Sequence, residues 1–205
     1  MHNEILVGSQ NVGDGVVTKA RGGRSGEQMV SELQGRYYEL AYRGNLFHAY
    51  AIVTAPVVYT TAAGTGGPLI HNNSTDVNVV LLAVTLGSSV VTTVAGSLGI
   101  TGNSGQSAAI GTTTAIDANR NLKVGGALPK STAYRIGTPA SAGNFFIPLC
   151  SFHTGALTVD TTVTGFIDIG GAVIIPPNCW ASLAGSATMS TLVAQLGLIY
   201  AEVPL

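Results

Sequence analysis

Four histidines, a few scattered carboxylates and two cysteines are the side chains from which this sequence could build chemistry. His2, His48, His71 and His153 fall at none of the i, i+2 or i, i+4 spacings that let two imidazoles share a metal on one strand or helix face. Each reads as a surface or core histidine, and no metal or other cofactor is expected. Asp160, Asp168 and Glu202 are the carboxylates from which a glycosidase-type pair would be drawn, because that hydrolysis needs an acid and a base across one cleft. No motif brings two of them together. Gly102-Asn103-Ser104-Gly105 sets a serine between small residues but lacks the full nucleophile-elbow pattern and lies in a glycine-rich turn. Gly64 to Gly67 with Pro68 lacks the spacing of a phosphate-binding loop, and no helix pattern follows it. Asn72-Asn73-Ser74-Thr75 holds two overlapping glycosylation acceptor patterns, which without a secretory signal read as a polar turn. These residues assemble no catalytic constellation, and the chain is not expected to be an enzyme.

The elements that would position such residues are those of a β-rich chain. Of 205 residues only 9% are charged, against about 25% in ordinary soluble domains, and the net charge is -1. Val, Thr, Ala and Gly dominate, so strand formers outnumber helix formers. A body so nearly neutral generates no field that would concentrate nucleic acid or an anionic membrane surface. No uninterrupted apolar run reaches about 18 residues, so no membrane span is expected. The first residues lack a basic start followed by an apolar run, and the product is expected to begin in a cytoplasm.

Charge is distributed unevenly. Ten of the nineteen charged residues lie in the first 43 positions, whereas Gly44 to Ile116 holds only Asp76. Residues 1 to 44 are therefore read as an N-terminal arm with a strand leading into the body, and residues 45 to 205 as a β-sandwich domain. The arm is rich in glycine, and its apolar clusters, Ile5, Leu6 and Val7 and then Val16 and Val17, are too small to close a core. Fully extended, it could reach about 110 Å, enough to cross a neighbouring subunit. A capping-box spacing at Ser25-Gly26-Glu27-Gln28 predicts one short helix there. In Gly35 to Gly44, alternation predicts an edge strand with Arg36, Tyr38 and Tyr42 on one face and Tyr37 and Arg43 on the other. The Arg/Tyr content is that of interface hot spots, which makes Arg36, Tyr37, Tyr38, Tyr42 and Arg43 candidate contacts beside the arm's two apolar clusters.

From Leu46 onward, short runs bounded by Gly, Pro, Asn and Ser predict strands at about 46–54, 56–61, 68–72, 77–87, 90–101, 107–116, 132–137, 144–153, 156–160, 163–169, 172–175, 179–185 and 191–203, some of them fragments of one strand. Residues 122 to 131 read as an exposed loop. Val77 to Leu86 and Leu192 to Ala201 are apolar on both alternating faces, so something must cover the second face. Neighbouring subunits fit the low charge, which predicts a homo-oligomer.

GRYYELAYRGNLFHAY (Gly35 to Tyr50), PLIHNNSTDVNVVLLAV (Pro68 to Val84) and GLIYAEVPL (Gly197 to Leu205) resemble small structural proteins of tailed bacteriophages. The resemblance spans about 160 residues. It implies a jelly-roll-like antiparallel β-sandwich with an extended N-terminal arm, forming homo-oligomers, often trimers. It also implies a place in the virion, assembled in the host cytoplasm, where such a protein acts as capsid cement or decoration against the major capsid protein. The alternative it leaves open is a receptor- or carbohydrate-binding module of a tail or fibre. An exposed aromatic platform would favour that alternative, but Trp180, the single tryptophan, follows Pro176-Pro177-Asn178 at a strand start, where core packing is expected.

Cys150 and Cys179 are expected to be unpaired, because no secretory signal precedes a core large enough to need no staple. Alkylation in denaturant without reductant should add two carbamidomethyl groups by mass spectrometry; modification that requires prior reduction would show a disulfide.

Overall fold

A computed structural model describes residues 37–54, 67–90, 96–103, 110–116, 118–139, 144–152, 164–186 and 193–205. Leu40–Leu205 forms one compact unit. The arm, including the helix expected near Ser25, lies outside the described residues, as do the strands expected at 56–61 and 156–160.

The described residues are all β apart from one short helix, as the composition predicts. That helix, α1 (Tyr38–Arg43), replaces the expected edge strand. Its reason lies just downstream. Gly44 adopts φ 77°, its N–H donates to the Ala41 carbonyl at 3.0 Å, and the Asn45 N–H donates to the Leu40 carbonyl at 2.9 Å. This pair of bonds around a left-handed glycine is a Schellman motif, which satisfies the helix's terminal carbonyls. The tyrosine alternation carried no such closure.

Eleven strands follow among the described residues: β1 (Leu46–Thr54), β2 (Leu69–Asn72), β3 (Val77–Val90), β4 (Gly96–Gly102), β5 (Ile110–Ala115), β6 (Ala118–Asn121), β7 (Thr132–Pro139), β8 (Asn144–Phe152), β9 (Thr164–Ile175), β10 (Cys179–Gly185) and β11 (Val193–Pro204). They form two antiparallel sheets, ordered β6-β1-β11-β3-β9 and β5-β7-β2-β10-β4-β8, arranged as a sandwich. The core between them joins Phe47, Ala49, Leu196, Leu198 and Tyr200 of the first sheet to Ile70, Ile100, Ala181 and Leu183 of the second. The runs expected at 163–169 and 172–175 are one strand, β9, whose middle loops out at Gly170 and Gly171, both at positive φ.

The doubly apolar strand β3 has a local explanation. Leu81 pairs with Tyr200 and Ala83 with Ile199, which leaves Leu82 without a counterpart on β11. A single extra residue reverses the alternation. Val79 and Leu81 face the core before the bulge, and Val84 and Leu86 face it after. Much of the apparent second apolar face of β3 is therefore core, and needs no neighbour to cover it. In the six-stranded sheet both faces of the centre are buried within the chain: Ile70, Ala181 and Leu183 face the core, while Leu69, His71, Trp180, Ser182 and Thr101 on the opposite face are also inaccessible.

The two sheets are fastened at one end by Asn72, the last residue of β2, which is fully buried. Its Nδ2 donates to the carbonyls of Val77 and Ile175, each at 2.9 Å, its Oδ1 accepts the Ser74 N–H at 3.2 Å, and its backbone carbonyl accepts the Asn178 N–H at 2.8 Å. Asn178, at φ 60° after Pro176-Pro177, turns the chain from β9 into β10 and so from one sheet to the other. Asn72 is thus a clasp, and an asparagine so enclosed cannot accept a glycan. Asn72→Ala should lower stability by about 1–3 kcal/mol for each carbonyl left without a donor, read as a shift in the urea midpoint at unchanged slope; an unshifted midpoint would refute the clasp.

Candidate functional site

Among the described residues, those singled out for chemistry do not converge. His2, Ser104, Gly105, His153 and Asp160 lie outside the described residues, as do Gly64 to Gly66. Gly67 serves geometry as expected: a Cβ there would overlap the Leu183 carbonyl oxygen. His48, on β1, reaches over Gly197 to Thr85, with Nε2 and Oγ1 3.2 Å apart, and burial lowers its pKa from 6.5. Burial acts the same way on His71. Both histidines are therefore neutral at pH 7. Among the described residues no three His, Cys, Asp or Glu side chains are grouped to hold a metal. Asp168 is exposed on β9, where it accepts the Gly170 N–H at 2.9 Å. Glu202 is buried on the core side of β11, so these two carboxylates lie on opposite faces of one sheet.

Of the expected contact residues, Ile5, Leu6, Val7, Val16, Val17 and Arg36 lie outside the described residues. Tyr37 immediately precedes α1, while Tyr38, Tyr42 and Arg43 belong to it, with Tyr38 and Tyr42 exposed. Lys123 donates from Nζ to the Tyr42 carbonyl at 2.8 Å and lies 5.4 Å above the Tyr42 ring, which ties the helix to the loop after β6.

Polar groups do converge at one corner, around Glu202. Its carboxylate accepts the backbone N–H of Lys130 at 3.0 Å, the N–H of Ser131 at 2.7 Å and the Ser131 hydroxyl at 2.8 Å. Ser131 Oγ is also 3.3 Å from the Tyr200 hydroxyl, which donates to Asn119 Oδ1 at 2.9 Å. A hydroxyl carries one proton, and the shorter, charge-assisted contact takes it. Burial pushes the Tyr200 phenol well above its ordinary pKa, so it remains a donor. The arrangement closes on itself: Ser131 is spent on Glu202, and Glu202 is spent on the loop. It holds residues 122–131 against the core rather than presenting an acid and a base. Beside it opens a cleft of about 280 Å³ lined by Ile116, Leu128 and Ala133 together with Asn119, Arg120 and Thr132. Between residues 44 and 205 all the basic side chains fall within sixteen positions, Arg120, Lys123, Lys130 and Arg135. That clustering was the available signal for this corner. Lys130 and Ser74 bond to Asp76 and hold its carboxyl below the usual range.

The second feature is the outer face of the five-stranded sheet. Direct pairing sets its side chains in rows. One runs Arg120, His48, Ile199, Ala83, Asp168 from β6 to β9; the next runs Ala118, Tyr50, Gly197, Thr85, Phe166; and a third runs Ile52, Gln195, Gly87 from β1 to β3. Ile52 is 46% exposed, and Phe166 and Ile174 are each 58% exposed. The sequence did not mark these three, because each sits in a run that reads as core.

No family model, no curated protein and no solved structure matches this chain.

Glu202→Gln keeps an acceptor but replaces the other oxygen with a donor facing an N–H. It should cost about 1–3 kcal/mol, the scale of a lost hydrogen bond to a charged group, and should raise amide exchange selectively at Lys130 and Ser131. Unchanged exchange at both amides would show that the carboxylate does not hold the loop.

Proposed function

We propose that this protein is a virion structural component, a jelly-roll-like capsid cement or decoration protein that reinforces a shell through contacts with its own copies and with the major capsid protein. The observation that carries the reading is the outer face of the five-stranded sheet, where large apolar side chains stand exposed with little charge between them. Phe166 and Ile174 stand exposed on one strand, β9, and exposed apolar side chains that share a face are candidates for contact with a partner. Absence of a convergent acid and base among the described residues fits a binding role. Burial supplies the mechanism: at about 25 cal/mol per Å² of apolar surface, less the costs of association, a modest interface repeated by symmetry can hold a shell under pressure. The alternative, a receptor- or carbohydrate-binding module, draws less support because Trp180 is buried in β10 and offers no stacking platform.

The purified full chain should scatter light as a homo-oligomer at micromolar concentration, with the trimer as the form the resemblance implies. It should also rebind particles stripped of it and raise the temperature at which they release their genome. A folded monomer that neither binds nor stabilises particles would overturn the reading.

A further inference from the structure

We propose that β6 is a docking edge: an extended segment of a partner protein, in which apolar and acidic residues alternate, adds to it as a further antiparallel strand and fills the cleft beside it. The proposal deepens the virion role by naming the partner's chemistry, and rests on that role only for the assembly that supplies the segment.

The backbone at this edge is arranged for pairing. β6 is the last strand of its sheet, with β1 on one side and no described strand on the other. In an antiparallel ladder, successive residue pairs alternately exchange hydrogen bonds and turn their N–H and carbonyl groups away. The Leu122 N–H donates to the Leu46 carbonyl at 2.9 Å, which continues the register pairing Asn121 with Phe47. In that phase Ala118 and Arg120 bond to β1, whereas Asn119 and Asn121 turn their backbone groups to the open side. The far side of β1 agrees. There the Glu202 N–H donates to the Asn45 carbonyl at 3.1 Å, so Phe47 and Ala49 bond to β11, and His48 and Tyr50 are left to bond to β6. Strand addition takes up such a row of outward-turned groups.

The side chains say what the added strand should carry, because residues directly opposite on neighbouring strands share a face. Asn119 accepts the hydroxyl of the buried Tyr200, so its side chain points to the core side and that of Arg120 to the outer side. On the core side lies the cleft of about 280 Å³, with Ile116, Leu128 and Ala133 as its apolar wall. Its two sides are held together, since Asn119 and Ser131, both in the lining, meet the same Tyr200 hydroxyl. On the outer side Arg120 is exposed and has no acidic partner among the described residues. No lining residue is acidic, and the nearby Glu202 is spent on Lys130 and Ser131. A residue set opposite Asn119 therefore enters the cleft and should be apolar, while its neighbour opposite Arg120 should be Asp or Glu.

Fluorescence anisotropy on the full chain tests this with labelled, end-capped peptides of about six residues, an ordinary strand length. A peptide alternating valine and glutamate should bind with a dissociation constant of about 1 mM or tighter, and one alternating valine and lysine about tenfold more weakly or worse. Arg120→Glu should reverse that preference, and Leu128→Glu should weaken the glutamate peptide; both side chains are exposed, and unchanged far-UV circular dichroism would show that the fold persists. Methylating the valine amides, which face β6 in this register, should abolish binding, and methylating the glutamate amides should not. Failure of the glutamate peptide to bind, equal binding of both peptides, an unchanged preference in Arg120→Glu, or binding that survives valine methylation overturns the docking edge. The two readings fail separately: particles that rebind a chain deaf to the peptides leave the virion role standing, and peptide binding without particle binding leaves the edge standing.

Discussion

One residue without a counterpart, Leu82, decides what this protein shows to its surroundings. Side-chain direction alternates along a strand, so an inserted residue exchanges the two faces from that point on. Before the bulge the inward set of β3 is Val79 and Leu81, and after it Val84 and Leu86. Without it, Val84 and Leu86 would point outward, and Ala83, Thr85 and Gly87 would point into the core, where small and polar groups leave voids. The bulge therefore fills the core and at the same time leaves small side chains on the outer surface of β3. Ile52 on β1 and Phe166 on β9 stand exposed on the same side of the sheet.

The polar interior has a different task. Asn72 and Glu202 are buried, and each has its hydrogen-bonding capacity used by backbone groups from distant segments. Asn72 joins β2 to the start of β3 and the end of β9, while Glu202 holds the loop after β6 against β11. A buried polar group that is fully satisfied fixes one geometry, because any alternative leaves it unpaired. In a domain with so few charges, such fasteners set where the two sheets lie and where the basic loop sits. That loop follows β6, whose Arg120 ends one row of the outer face.

How much of this was legible in the sequence follows from what each element depends on. β1 and β10 occupy the spans expected for them, 46–54 and 179–185, because apolar runs of that length end at turn residues. The two-sheet class was legible for the same reason. β6, ANRN, was not: it has no apolar pattern and exists by pairing with β1. α1 was misread because six residues hold too few turns to display a helical period, although Gly44-Asn45 after it carried the cap signal. The phase change at Leu82 was invisible in a run where every neighbour is apolar, so the outer face could not be separated from the core. Arg120 and Asp168 lie 48 positions apart in sequence and meet one row only through four strand pairings, information that no local pattern holds.

The outer faces of both sheets bear on the functional reading. Both sheets have apolar or neutral outer surfaces, and water penalises both alike. In the six-stranded sheet the chain solves this by itself, down to burying Trp180 on the face away from the core. In the five-stranded sheet Leu46, Ala83 and Ala201 on the outer side are buried as well, while Ile52, Phe166 and Ile174 stay exposed on the face that also carries Arg120 and Asp168. A surface meant only for solvent would carry charge across its middle as well as at its rims. Here the charges of Arg120 and Asp168 stand at the rims, and the middle mixes Gln195, His48 and Thr85 with small and apolar residues. Under the proposed virion role, the exposed Ile52, Phe166 and Ile174 are the side chains a partner would cover.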